Sequence, residues 1–219
     1  MSTMYDYLDA QLGAVKKKIR TEFNRLGVMG FDELSVIRTP KITQQTFDRL
    51  LAYNENAYQK VAKDTYSRAR AKAKDAGYAG GEKVEGVGGD WLLSILLAYN
   101  FVTGYLYDRE AERKRLRLNE QILTAREYGS REMFNDSLRR TANLWWTQTA
   151  QYGITVVDEA AIQAYEDMGV EKVKWIAELD SRTCGTCRER NGVIYELSKV
   201  PRKTHYNCRC WLEPVEIEE

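Results

Sequence analysis

All four cysteines and the only histidine of this chain fall between Cys184 and Cys210. Their spacing is Cys184-x2-Cys187-x17-His205-x2-Cys208-x-Cys210. Two ligand pairs, each two residues apart and separated by ~15–20 residues, form the pattern of a tetrahedral structural zinc site. A Cys-x2-Cys turn lets two thiolates converge on one ion, and an intervening hairpin returns the second pair to it. The metal then offsets the entropy of closing that loop. Five candidates, Cys184, Cys187, His205, Cys208 and Cys210, compete for four positions. The two-residue spacing favours His205 with Cys208. If Cys208 to Val215 is a strand, Cys208 and Cys210 share a face and Cys210 competes with His205.

Other cysteine chemistries fit less well. Disulfides pairing Cys184 or Cys187 with Cys208 or Cys210 suit the even count but not a protein made in the cytoplasm. A redox Cys-x2-Cys motif calls for a βαβ context, which the flanking pattern lacks. A catalytic zinc keeps an open position and a nearby base, whereas a thiolate-rich set closes the ion. With the one histidine claimed, no Ser-His-Asp or Cys-His partnership remains, and the acidic residues single out no acid and base pair. The expectation is a structural protein and not an enzyme.

The rest of the chain reads as helix. Three prolines in 219 residues are few, and good helix formers are plentiful. Tyr5, Leu8, Leu12, Val15 and Ile19 recur at three- and four-residue steps, predicting a helix over 5–23. After an irregular stretch, 24–44, the run 47–76 carries Phe47, Leu50, Leu51, Tyr58, Val61, Ala62 and Tyr66 on one face, with Gly77 as its stop. The glycine-rich segment 76–90 is a hinge or surface loop, since no Gly-Lys-Ser/Thr follows it. Asp90 would cap a buried helix from Trp91 to Tyr107, too short and too interrupted by Ser94, Asn100 and Thr103 to span a bilayer. No stable membrane insertion is expected.

A further helix is predicted over 130–152, with Met133, Leu138, Leu144 and Trp145 facing inward and Gly153 at its end. A short one, capped by Asp158 and closed by Gly169, follows. Strands are predicted over 172–179, 193–197 and 208–215, with Asn191-Gly192 as the turn before the second. The fold class is therefore α+β. A mainly α-helical body over 1–125 precedes a small α+β module over 126–219, stapled by the zinc-type Cys/His site at 184–210.

Several residues around the metal pattern carry a family resemblance. Trp175, then Asp180-x-Arg182-Thr183-Cys184-x2-Cys187, then Asn191-Gly192, then His205-x-Asn207-Cys208-Arg209-Cys210 resemble the head-morphogenesis family of tailed phages and prophages, the Mu F-like minor head proteins. The likeness covers residues 125–215 and departs in the approach to the histidine, where a Pro-rich stretch is reduced to Pro201. It implies a minor structural component of the virion at the portal vertex or capsid interior, aiding head assembly or DNA delivery. The implied partners are the portal protein, the major capsid protein, or both, with packaged DNA as a further candidate and homo-oligomerisation on the portal as a possibility. In that picture Asp180, Arg182 and Thr183 support the metal's ligands.

The alternative is a nucleic-acid-binding zinc module. Lys199, Arg202, Lys203 and Arg209 surround the cluster, and Arg113, Lys114, Arg115 and Arg117 form a basic turn upstream. Against it stand the acidic residues Glu213, Glu216, Glu218 and Glu219 and a formal net charge of only +1.

Overall fold

Among the described residues, periodic apolar positions build four long helices before the chain reaches its strands. In a computed structural model that describes residues 5–29, 31, 33–80, 107–203 and 208–217, they are α1 (Asp6–Val28), α2 (Arg38–Asp75), α3 (Tyr107–Glu127) and α4 (Arg131–Asp167). The C-terminal part adds β1 (Lys172–Ile176), the short α5 (Gly185–Arg190), β2 (Ile194–Glu196), a 3-10 turn (Leu197–Lys199) and β3 (Trp211–Pro214). The architecture is mostly helical with a small C-terminal strand module, as the residue pattern predicts. The run 91–107 that invites a membrane test, up to residue 106, and residues 81–90 of the glycine-rich segment, with the Asp90 cap, lie outside the described residues. Among the described residues no helix is long and apolar enough to cross a membrane.

Contacts divide the chain into two compact units. One comprises Met1–Asp9, Tyr58–Ile95 and Gln151–Glu219, the other Ala10–Ala57 and Leu96–Ala150. The 125/126 division read from the sequence is not one of these boundaries.

The second unit is all-helical where described. Ile19, Phe23 and Leu26 of α1, Phe47 and Leu50 of α2, Leu118 and Ile122 of α3, and Leu138 and Trp145 of α4 share one core. Phe47 sits edge-on to both Phe23 and Trp145, with centroids 6.4 and 5.3 Å away. Two buried hydrogen bonds inside it join different helices. The Thr43 hydroxyl donates to Asn119 at 2.6 Å, and the Asn54 amide donates to Thr149 at 2.9 Å.

The first unit carries the strands. Ala62, Ala69 and Ala73 of α2 and Ala160 and Ala164 of α4 are fully buried small residues, and the Tyr66 hydroxyl donates to Asp167. The three strands form an antiparallel sheet in the order β2-β1-β3. Val173 of β1 pairs with Tyr195 on one side and Pro214 on the other. Val173 and Trp175 point inward from β1, and the Tyr165 hydroxyl of α4 donates to the Leu212 carbonyl of β3 at 3.0 Å.

Several expectations are corrected. The stretch 24–44 is not all irregular: α1 runs on to Val28 and α2 begins at Arg38. Pro40 is tolerated because it lies in the first helical turn, where its missing N–H costs nothing. Gly153 does not end a helix. It is buried inside the unbroken α4, whose neighbours Tyr152, Val156 and Val157 pack on both sides, and such packing outweighs a glycine penalty of ~1 kcal/mol. Asp158 is accordingly a mid-helix residue and not a cap. Met133 and Leu144 are exposed, because Phe134, Leu138, Thr141, Trp145 and Thr149 define the buried stripe one step away.

The strands are shorter than predicted, and Cys208 to Cys210 precede β3 as irregular chain. Asn191-Gly192 is not a hairpin turn. It terminates α5, a helix the sequence reading missed, with Gly192 at φ +81°.

Candidate metal centre

The first knuckle grows from the end of β1. After Ile176 the loop is locked by its own short side chains. The Thr183 hydroxyl accepts the Asp180 N–H at 3.0 Å and donates to the Glu178 carbonyl, while the Asp180 carboxylate accepts the Arg182 N–H at 2.9 Å. Cys184 then takes the N-cap position of α5 in extended conformation, and its sulfur accepts the Cys187 N–H at 3.4 Å. An amide directed at a sulfur is what a thiolate ligand needs. At the far end the Asn191 side chain accepts the Ala177 N–H at 2.9 Å and the Gly192 N–H donates to the Trp175 carbonyl at 2.7 Å. The knuckle is thus closed back onto β1.

The second limb, Cys208-Arg209-Cys210, leads into β3 on the other side of β1. Arg209 clamps the two limbs together: one guanidinium nitrogen donates to Glu178 Oε2 at 2.8 Å and another to Asp180. That hydrogen bond holds the Asp180 carboxyl down at about 2. Arg188 adds bonds to the Asp180 carbonyl at 2.7 Å and the Thr183 carbonyl at 3.1 Å. Asp180 and Thr183 therefore do support the knuckle. Arg182 is a surface charge, 75% exposed and 3.6 Å from Asp180.

These elements bring three sulfurs together. The Sγ atoms of Cys187, Cys208 and Cys210 all lie within 4.8 Å of one another, and the three residues are no more than 3% exposed. Cys184, half-buried, stands at the rim outside that mutual set. His205 lies outside the described residues. Cys210 is thus a member of the cluster beside Cys208.

All four cysteines are free thiols, and the Cys187–Cys208 separation of 3.6 Å is far beyond the ~2.05 Å of a disulfide bond. It does match the ~3.8 Å that separates two thiolates bound at ~2.3 Å to one tetrahedral ion. The buried cysteine cluster could hold a metal ion.

Electrostatics agrees with that capacity. Burial pushes the Cys187 thiol up to about 12. Cys208 is brought down to about 5, chiefly because the Cys210 thiol donates to it, and Cys210 is raised by that same bond. The Cys210 donor thus favours the thiolate at Cys208, while burial disfavours charge on Cys187 and Cys210. A cation is what would let the rest ionise.

Tyr5 and Asp158 escaped sequence reasoning because their partners are remote in the chain, and Lys203 was read only as a basic residue near the cluster. The Tyr5 hydroxyl lies 2.8 Å from the Cys210 carbonyl and 3.0 Å from Asp158 Oδ1, its one proton serving either acceptor. The Lys203 ammonium donates to Asp158 at 2.6 Å and to the Tyr5 oxygen, and sits 4.7 Å from the Tyr5 ring centroid. Burial, followed by the Asp158 charge, raises the Tyr5 phenol well above its ordinary range, so it keeps its proton. Burial likewise raises Asp158, against the pull of Lys203. The helical spacing of Tyr5 and the mid-helix place of Asp158 gave no sign of this.

Comparison with protein-family models, with curated proteins and with solved structures finds no match to this chain.

Proposed function

We propose that this chain is a minor head protein of a tailed phage or prophage, a structural protein whose C-terminal module is stapled by zinc. The observation that carries the reading is the meeting of Cys187, Cys208 and Cys210 in one buried cluster, inside the stretch whose residues resemble the Mu F-like proteins. Asp180, Thr183, Arg209 and Asn191, which belong to the same motif, hold the cluster's two limbs by hydrogen bonds to backbone and side chain. We assign the fourth ligand to Cys184, whose sulfur already receives the Cys187 amide. The ion's part is to replace thiol protons with a fixed cross-link between limbs. The protein's part is to hold the limbs in place.

The portal vertex or capsid interior is its place, and the portal and coat proteins are its partners. A nucleic-acid module is less well supported. Arg209 is engaged by Glu178 and Asp180, Lys203 by Asp158, and Lys199 by Glu196, so the cations near the cluster are largely neutralised.

Two measurements test the reading. The purified protein is expected to carry one zinc per chain, lost in Cys208→Ser and Cys184→Ser and kept in His205→Ala. Zinc retained in Cys184→Ser and lost in His205→Ala would move the fourth ligand to the histidine. Co-expressed with its portal and coat proteins, the chain is expected to co-purify with assembled heads. Failure to do so, together with absence from virions, would refute the virion role.

A further inference from the structure

The Cys208–Cys210 limb has no ladder hydrogen bonds of its own, since β3 begins only at Trp211. What fixes it on one side is Arg209, reaching to the first knuckle. On the other side Cys210 and Lys203 both meet a single residue far away in sequence. Lys203 donates to the Tyr5 oxygen, and the Tyr5 hydroxyl reaches the backbone carbonyl of Cys210 at 2.8 Å. Asp158 closes the arrangement by accepting from Lys203 at 2.6 Å while standing 3.0 Å from the Tyr5 hydroxyl. Tyr5 is only 5% exposed, and the Asp9 N–H donates to its carbonyl at 2.8 Å, so it is continuous with the first turn of α1.

From this we infer that Tyr5 is a positioning residue of the metal centre, and that metal binding is coupled to docking of the chain's first turn. The inference rests on the zinc reading above. The physical reason is that a ligand residue can be held in its binding conformation through its backbone as well as its side chain. A carbonyl fixed at residue 210 restricts the dihedral freedom that the Cys210 sulfur would otherwise explore before binding. The Lys203–Asp158 pair in turn holds the Tyr5 hydroxyl in place. Coupling of this kind is reciprocal: whatever Tyr5 adds to metal affinity, the metal adds to the docking of Tyr5. Outer groups that orient metal ligands typically contribute ~10–100-fold in affinity.

The test uses the full chain, stripped of metal and titrated with zinc against a chromophoric chelator, alongside hydrogen exchange of a peptide covering residues 5–12. Tyr5→Phe keeps the ring over Lys203 and removes only the hydroxyl. The expected results are about tenfold weaker zinc binding by Tyr5→Phe, an unchanged tetrahedral cobalt(II) spectrum, and exchange in 5–12 that zinc slows in the parent more than in the variant. Equal zinc affinity with zinc-insensitive exchange would overturn the coupling and leave the metal centre standing. A parent protein that binds no zinc would sink both. Asp158→Asn, of nearly the same volume, carries the same comparison if Tyr5→Phe does not fold.

Discussion

Asp180 carries several obligations on one carboxylate. It accepts the Arg182 N–H, engages the Thr183 hydroxyl at 3.2 Å and receives the Arg209 guanidinium. Its folded value of about 2 lies below the ~3.9 of an unfolded aspartate. A depressed carboxyl contributes its stabilisation in full above the unfolded value and loses it as pH falls through the folded one. A carbon-detected NMR titration of the native protein should therefore show the Asp180 carboxyl titrating near pH 2. A midpoint near 4 would mean that the Arg209 clamp does not persist in solution. The clamp was half visible in the sequence. The family resemblance puts Asp180 and Arg209 in one motif, but only the folded loop shows that the arginine between Cys208 and Cys210 reaches back to the aspartate that precedes Cys184 and Cys187.

At the scale of elements, helix endings were easier to read than helix interiors. Gly77, Gly129 and Gly169 end α2, α3 and α4 with φ of +95°, +62° and +74°. Each is followed by a residue whose N–H reaches back into the last turn: Tyr78 to Ala73, Ser130 to Ala125 and Val170 to Tyr165. A Cβ on Gly169 would meet nothing within 4 Å. Gly169→Ala should therefore cost only the left-handed backbone term, about 1–2 kcal/mol, read as a shift of the urea midpoint. A neutral substitution would show that α4 does not need this ending.

Gly153 looked equivalent in sequence. Its difference lies in burial between Tyr152 and Val156, a tertiary fact that local pattern does not contain. The Asn191-Gly192 pair misled for the opposite reason. It was read as a hairpin turn, but Asn191 takes φ −60° where that turn needs a positive φ, and the six residues of α5 are too short for a periodic stripe to reveal the helix that the pair closes.

For the whole molecule, the fold class and the neighbourhood of the cysteines were legible because both rest on local spacing. The three-sulfur grouping and the role of Tyr5 were not, because they depend on which distant segments meet. Those meetings also imply an order of events. Cys187 and Cys208 close a loop of 21 positions, whereas the hydrogen bond from Tyr5 to Cys210 spans 205. On chain-statistical grounds the longer closure costs about 2 kcal/mol more in entropy than the shorter. Contacts of such separation form after local structure has shortened the effective chain. In refolding with zinc present, cobalt or zinc capture by the thiols should accordingly precede protection of residues 5–12, as pulse-labelled hydrogen exchange would resolve. Simultaneous protection would mean that the first turn belongs to the folding nucleus. Because Cys210 lies 205 positions after Tyr5, a nascent chain cannot complete this contact until that whole span has been synthesised. The bond between them is then a record that synthesis has passed the cysteine cluster.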